Sequence, residues 1–470
     1  MDSLFIKLSH LLGGHVAPDH LKLAFSILST YPSAILFKHI SSTSIKHVFS
    51  IIYTTFIMLS VLQLYDGYIH AFTISLFSYF FMKYTNSAWT NFIVVMASMC
   101  VCHIGRILKG FEGDTDLDYS GAMMILTIKL SSFGFNILDG RLAESKNLSV
   151  HNQQMKISSY PSFIQYFGWV FFFPGFLAGP TCEYMDYIRF IETKIQTSTW
   201  KPALMRLSKS FAFIAALVYL GPTYNFFQAL QPAWSHKSFW SKIFFIQLSA
   251  FLTRCKYYTV WYLSEGASIL AGMGFNGYDQ DGHPKWNRLT NVNVVYCEFA
   301  QSYKQLSENW NIGANHWLRH YVYLRSAHFG ATTSTLLTYV VSAMWHGFHP
   351  GFYIFFMTLS VLQLIARQVR RTVRPFFLNV DGTPKGYWKT FYDVCTWAAS
   401  FGLLNMLVPC FDLLYVSRIL HIWRQIYYCH FIVIAIGTGF FYALKPSLRQ
   451  IQKKRVEKHL EQQKDGKKIN

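Results

Sequence analysis

The chain has 470 residues, of which 52% are hydrophobic and only 14% charged, with 43 Phe, 29 Tyr and 13 Trp. Soluble proteins carry roughly 25% charged residues, so an ordinary water-soluble enzyme is excluded and a polytopic membrane protein is expected. The net charge of +19 is spread over short loops and one tail between apolar runs, the positive-inside pattern. That pattern argues against a nucleic-acid partner and for anionic membrane lipids or a phosphorylated substrate.

No basic region, apolar core and small-residue cleavage site follow one another at the start, so the first apolar run is expected to be a retained helix. Apolar runs that suit a bilayer lie at about 21–37, 47–65, 69–83, 89–108, 160–179, 208–229, 240–274 (one long or two short), 329–344, 350–367, 392–416 and 427–444. This predicts an all-α bundle of ten to twelve membrane segments. Several runs are shorter than the roughly 20 residues a straight span needs, or are interrupted. FGWVFFFPGFLAGP, with Pro174, Gly175, Gly179 and Pro180, is one. Irregular backbone survives in a membrane only where protein buries it or a wet cavity lines it, so the bundle should surround an internal chamber.

Between the spans, 118–142 mixes apolar stretches with Lys129, Asp139 and Arg141, and reads as a short helix lying against the membrane or re-entering it. Segment 275–325 is more polar. Its opening contains the turn signal Asp281-Gly282 and the helix breaker Pro284. The remainder reads as amphipathic helical pieces, too polar to cross lipid alone. Residues 1–444 are expected to form one membrane domain without internal repeats. The tail 445–470 carries nine Lys or Arg against three acidic residues and is expected in the cytosol. It ends in Lys467-Lys468-Ile469-Asn470, which resembles a dilysine retrieval signal of endoplasmic-reticulum proteins.

The eight cysteines are scattered, apart from Cys100 and Cys102, and suggest neither a disulfide framework nor a metal knuckle. One sequon, Asn147-Leu-Ser149, says little about topology. Two polar constellations stand out instead. The first is Trp310-Asn311 with Asn315, Trp317, Arg319 and Tyr321. Asn311 and Asn315 would share one helix face, where capping or cross-linking of helices is the alternative to function. The second is Trp345-His346-Gly347 with His349 and Pro350. An imidazole in an apolar run costs free energy unless its nitrogens are paired, and polar groups there are candidates for function. A packed histidine at a helix end is the plainer reading. Two histidines make a weak zinc case, and no metal is expected.

There is no G-x-S-x-G elbow, P-loop or dinucleotide glycine pattern. A lone histidine suits general-base catalysis on a hydroxyl. An asparagine amide can donate to a carbonyl oxygen as negative charge develops on it. A greasy thioester acyl donor would fit a membrane chamber.

WNIGANHWLRHYVYLR at 310–325 and SAMWHGFHPGFY at 342–353 resemble the asparagine and histidine motifs of the membrane-bound O-acyltransferases. RCKYYTVWYLSEGASILAGMGFNGYD at 254–279, MMILTIKLSSFGFNILDG at 123–140 and GPTCEY at 179–184 strengthen the likeness. It narrows to the lysophospholipid acyltransferase branch, and most to its broad-specificity fungal members. Asn311 precedes His346 by 35 residues in this order of blocks. One departure is Ala314, where many members of the branch have threonine.

The resemblance implies that His346 is the catalytic histidine and Asn311 its partner. The implied reaction is acyl-CoA plus a 1-acyl lysophospholipid giving a diacyl phospholipid and CoA, with no cofactor and no obligate protein partner. Trp310, Asn315, Arg319, Tyr321, Trp345 and His349 are candidate substrate contacts. Arg254, Lys256, Tyr257 and Tyr258 would line a head-group region, although interfacial anchoring would place the same residues there. Glu265 would hydrogen-bond within the chamber or pair with a neighbouring cation. Arg367, Arg370, Arg371 and Arg374 would meet CoA phosphates, or simply anchor a helix end. Alternatives are a relative acylating sterol, diacylglycerol or a peptide, and a transporter, whose paired broken helices have no counterpart here.

Overall fold

The computed structural model describes residues 2–468 except 12, 14–15, 111–116, 143–147, 194 and 196. Asn147 of the sequon lies outside the described residues. So do the side chains of Lys467 and Lys468. The architecture is all-α; among the described residues the only extended pairings are two isolated bridges, Tyr278 with Pro284 and Leu378 with Pro384.

Seven helical segments among the described residues are long and apolar enough to cross a membrane: Thr43–Val61, Ala88–Leu108, Ser120–Arg141, Trp200–Leu220, Pro350–Phe377, Gly386–Leu413 and Cys429–His459. The number is below the ten to twelve expected, for identifiable reasons. Run 21–37 is split at Ser29 into the helices Pro18–Leu28 and Thr30–His39. Run 160–179 makes only Phe163–Val170, after which Pro174 and the Gly179-Pro180 pair keep the chain irregular. Most of that irregular stretch is buried, as backbone at this depth must be. Run 240–274 is one helix of 33 residues, Phe239–Ala271, which carries Lys242, Arg254, Lys256 and Glu265. Run 329–344 becomes Ala331–His346, only 16 residues long.

The segment 118–142, read as a short helix lying against the membrane or re-entering it, is the 22-residue helix Ser120–Arg141, long rather than short and with most of its side chains buried in protein. Its polar residues explain how. Lys129 is fully enclosed, and its Nζ donates to the carbonyls of Trp169 at 2.8 Å and Val170 at 3.3 Å. These carbonyls end the helix Phe163–Val170, where the helix itself supplies no partners. Asp139, at 0% exposure, takes both guanidinium nitrogens of Arg325. Opposite charges and carbonyl acceptors thus let an apolar helix carry polar groups into the interior.

The chain forms two compact units. The first comprises 1–220, 254–293 and 310–348, and its core holds Phe133, Tyr166, Trp169, Trp317 and Trp345. The second comprises 221–253, 294–309 and 349–470. Its core holds Trp234, Phe245, Leu407, Leu413, Ile422 and Trp423, and the Trp423 indole donates to the Met406 carbonyl at 2.9 Å.

Candidate active site

His346 is the last residue of the helix Ala331–His346. Gly347 follows at φ 130°, a left-handed conformation that favours glycine, and its N–H returns to the Ala343 carbonyl at 3.1 Å. The final carbonyls of a helix lack partners within it. Here the Trp345 carbonyl accepts from Nε2 of His103, on Ala88–Leu108, at 3.0 Å. The Trp345 indole in turn donates to the Met124 carbonyl at 2.9 Å. The residue before His346 is therefore held at both backbone and ring, and its ring meets the imidazole edge-on at 4.8 Å.

Asn311 is placed differently from the sequence expectation. It does not sit inside a helix beside Asn315 but at the N-cap of Ile312–Trp317, with φ 44° and ψ 55°. Its carbonyl accepts the Asn315 N–H at 2.9 Å. The Ile312 N–H is drawn to the Asn291 carbonyl at 2.9 Å and the Gly313 N–H to Asn291 Oδ1 at 3.0 Å. This pull takes Asn311 out of the helical register. Asparagine tolerates the left-handed region better than most residues.

Asn311 and His346 both belong to the first unit, and the elements carrying them share one support. The Trp317 indole donates to Ser131 Oγ at 2.9 Å, and Trp345 packs on Trp317 with ring centroids 6.1 Å apart. Ser131 and Met124 both lie on Ser120–Arg141. That helix is the common frame for the asparagine and histidine segments.

The other predicted residues separate. Trp310 is met edge-on by Tyr257, Tyr258 and Trp261, with centroids at 5.7, 5.6 and 4.9 Å. Tyr321 is fully buried, and its hydroxyl bonds Asn136 Oδ1 at 2.8 Å and Glu183 Oε1 at 3.0 Å. Glu265, 1% exposed, accepts from Thr290 Oγ1 at 2.6 Å and pairs with Arg206 at 3.0 Å. Glu265 thus makes a hydrogen bond as well as a pairing with a cation. Arg254 is buried; Lys256 and Arg319 are exposed; Asn315 is partly buried.

His349 falls in the second unit, at the N-cap of Pro350–Val373, with its ring 5.4 Å from that of Tyr415. Arg370 on the same helix donates to Ser302 Oγ at 3.1 Å.

In the first unit a cavity of about 240 Å³ is lined by Gln63, Asp66, Cys102, Arg106, Asp118 and Tyr119 among others. Neither His346 nor Asn311 is on its wall. Asp279, Asp281 and His283 are the one trio among the described residues whose ligand atoms lie close enough to share a cation. All three are exposed, and Asp279 Oδ1 accepts the Asp281 and His283 N–H groups at 3.0 and 2.7 Å. These contacts close a turn.

Residues 33–408 match the sequence profile of the membrane-bound O-acyltransferase family. The chain belongs to that family. A lysophospholipid acyltransferase of Schizosaccharomyces pombe is 36% identical over 94% of this chain and 89% of its own length. One from Saccharomyces cerevisiae is 28% identical over 92% and 75%. The human membrane-bound glycerophospholipid O-acyltransferase 1 is 30% identical over 86% and 84%. For a membrane-bound O-acyltransferase the chemistry is transfer of an acyl group to an oxygen. The residues that sequence reasoning missed are His103 and Asn291. His103 sits inside an apolar run, and Asn291 in a loop whose single signal is two asparagines in TNVN. Neither position announces what it touches.

Proposed function

We propose that this protein transfers the acyl group of an acyl-CoA to the free hydroxyl of a 1-acyl lysophospholipid. The observation that carries the reading is that the His346 and Asn311 segments lean on one helix, Ser120–Arg141, through Trp345 and Trp317. Similarity to the lysophospholipid acyltransferases of two yeasts supports the substrate class.

His346 acts as general base. It takes the proton of the lysolipid hydroxyl as that oxygen attacks the thioester carbonyl carbon. The C=O π pair moves onto oxygen, where the Asn311 amide N–H donates to it. Collapse restores the carbonyl and breaks the C–S bond, and the thiolate of CoA takes the proton back from the imidazolium. No acyl-enzyme forms. Trp310, Asn315, Arg319 and Trp345 flank these two residues in sequence and contact the substrates; Tyr321 and Glu265 support the same region from buried positions. Arg254, Lys256, Tyr257 and Tyr258 line the head-group region. Arg367, Arg370, Arg371 and Arg374 are candidates for CoA phosphates, since guanidinium suits phosphate, and His349 is a further candidate substrate contact. The protein resides in the endoplasmic-reticulum membrane with its basic C-terminal tail in the cytosol.

The test is a microsomal assay with labelled oleoyl-CoA and lysophosphatidylcholine, lysophosphatidylethanolamine, diacylglycerol or sterol as acceptor. Labelled diacyl phospholipid is the expected product. A preference for sterol or diacylglycerol over every lysolipid would overturn the assignment.

A further inference from the structure

We propose that Asn291 is a positioning residue which sets the branch of the Asn311 amide that meets the reacting carbonyl; this rests on the role given to Asn311 above. Asn291 is 3% exposed and makes three contacts with one short stretch of chain. Its carbonyl accepts the Ile312 N–H at 2.9 Å, its Oδ1 accepts the Gly313 N–H at 3.0 Å, and its Nδ2 donates to Asn311 Oδ1 at 3.2 Å.

The direction of the last bond follows by elimination. A backbone N–H can only donate, so the Asn291 branch facing Gly313 must be its oxygen. The other branch is then the NH₂ group, which has no acceptor lone pair. The Asn311 atom it meets must therefore be oxygen. With Oδ1 engaged, the Asn311 NH₂ occupies the opposite branch and is the side chain's donor. A carbonyl gathering negative charge needs a donor, and an amide turned by 180° would present an oxygen to it instead. The left-handed backbone of Asn311 presents the same picture, since such conformations persist only where surroundings over-determine them. Gly313 makes the clamp possible: a Cβ there would lie 2.6 Å from Thr181 Oγ1 and 3.3 Å from Asn291 Oδ1.

Two substitutions separate orientation from packing. Asn291→Asp keeps the shape and the acceptor for Gly313. As a carboxylate it cannot donate, so it draws the Asn311 NH₂ towards itself and turns the oxygen outward. Asn291→Leu cannot donate at any pH. The full-length protein and its variants are purified in detergent, and kcat and KM are measured with oleoyl-CoA and lysophosphatidylcholine. Asn311→Ala should lower kcat by about 10²-fold or more. Each Asn291 variant should lower kcat at least about tenfold with KM changed less than about threefold, the signature of an interaction made in the transition state. Adding Asn291→Asp to Asn311→Ala should cost less than about twofold more, because a residue acting through another is silent once that one is gone.

If both Asn291 variants keep more than half of kcat while Asn311→Ala is impaired, the inference fails and the role of Asn311 stands. Losses that multiply in the double variant overturn it likewise. Near wild-type kcat for Asn311→Ala removes both.

Discussion

Two residues three positions apart, His346 and His349, are equally polar and equally surrounded by apolar sequence, yet the structure treats them differently. His346 ends a helix whose preceding carbonyl and ring are pinned by His103 and Met124. His349 begins the next helix, against Tyr415, in the other unit. In its proposed role as general base His346 would have to be held in place, and the neighbour it follows is fixed at backbone and ring. His346→Ala should therefore insert and fold normally while acyl transfer falls by about 10²–10⁴-fold, and His349→Ala should be the milder change. A purified, monodisperse His346→Ala protein retaining more than a tenth of wild-type turnover would remove it as the base. His346 stands out in the sequence because an imidazole beside Trp and Gly in an uncharged run is conspicuous. His103 does not, because its function is a bond to a backbone carbonyl 242 residues away, and sequence carries no mark of such a partner.

Elements were legible where pattern and length agreed, and illegible where buried polar groups broke the pattern. The Asp281-Gly282 turn signal and the breaker Pro284 marked a turn rather than a helix, and the chain does turn there, with one bridge between Tyr278 and Pro284. Lys129 and Asp139 made Ser120–Arg141 look like a short helix on the membrane or re-entering it, when their partners, the Trp169 carbonyl and Arg325, lie inside. The segment Leu318–Tyr323 shows the same effect with titratable groups. His320 stacks on His151 at 4.1 Å and lies 6.0 Å from His316, with Arg319 and Arg325 adding positive charge and Glu183 near His151. Burial, then the His151 and His316 imidazoles, push the His320 imidazole down to about 3 from the usual 6.5. A histidine depressed in the folded state refuses a proton that the unfolded chain accepts. Stability is then lost as pH falls below about 6.5, and the loss continues towards about 3. Thermal unfolding in detergent should show a melting temperature that drops between pH 6.5 and 4.5, and drops less in His320→Gln. Equal slopes for the two proteins would exclude His320 as a source of acid sensitivity.

For the whole molecule, composition sufficed to establish a polytopic all-α protein, but not how many runs are spans, because broken and enclosed helices use the same residues as simple ones. Head-group selectivity, on the proposed function, is a property at this scale too. A choline-selective site would be an open cage of aromatic faces around the ammonium. The aromatic group best placed for that role, Trp310 with Tyr257, Tyr258 and Trp261, is packed edge to face at 4.9–5.7 Å. At those separations the rings fill one another's space and leave no room for a trimethylammonium group. If this cluster stays closed, discrimination between choline, ethanolamine and serine would rest on weaker and more distributed contacts. We therefore expect lysophosphatidylcholine, lysophosphatidylethanolamine and lysophosphatidylserine, competing in one assay for the same labelled acyl-CoA, to differ in kcat/KM by less than about a hundredfold, or about 2.7 kcal/mol. A larger preference for choline would mean that the Trp310 cluster opens when substrate binds, and Trp310→Leu would then abolish that preference while sparing ethanolamine.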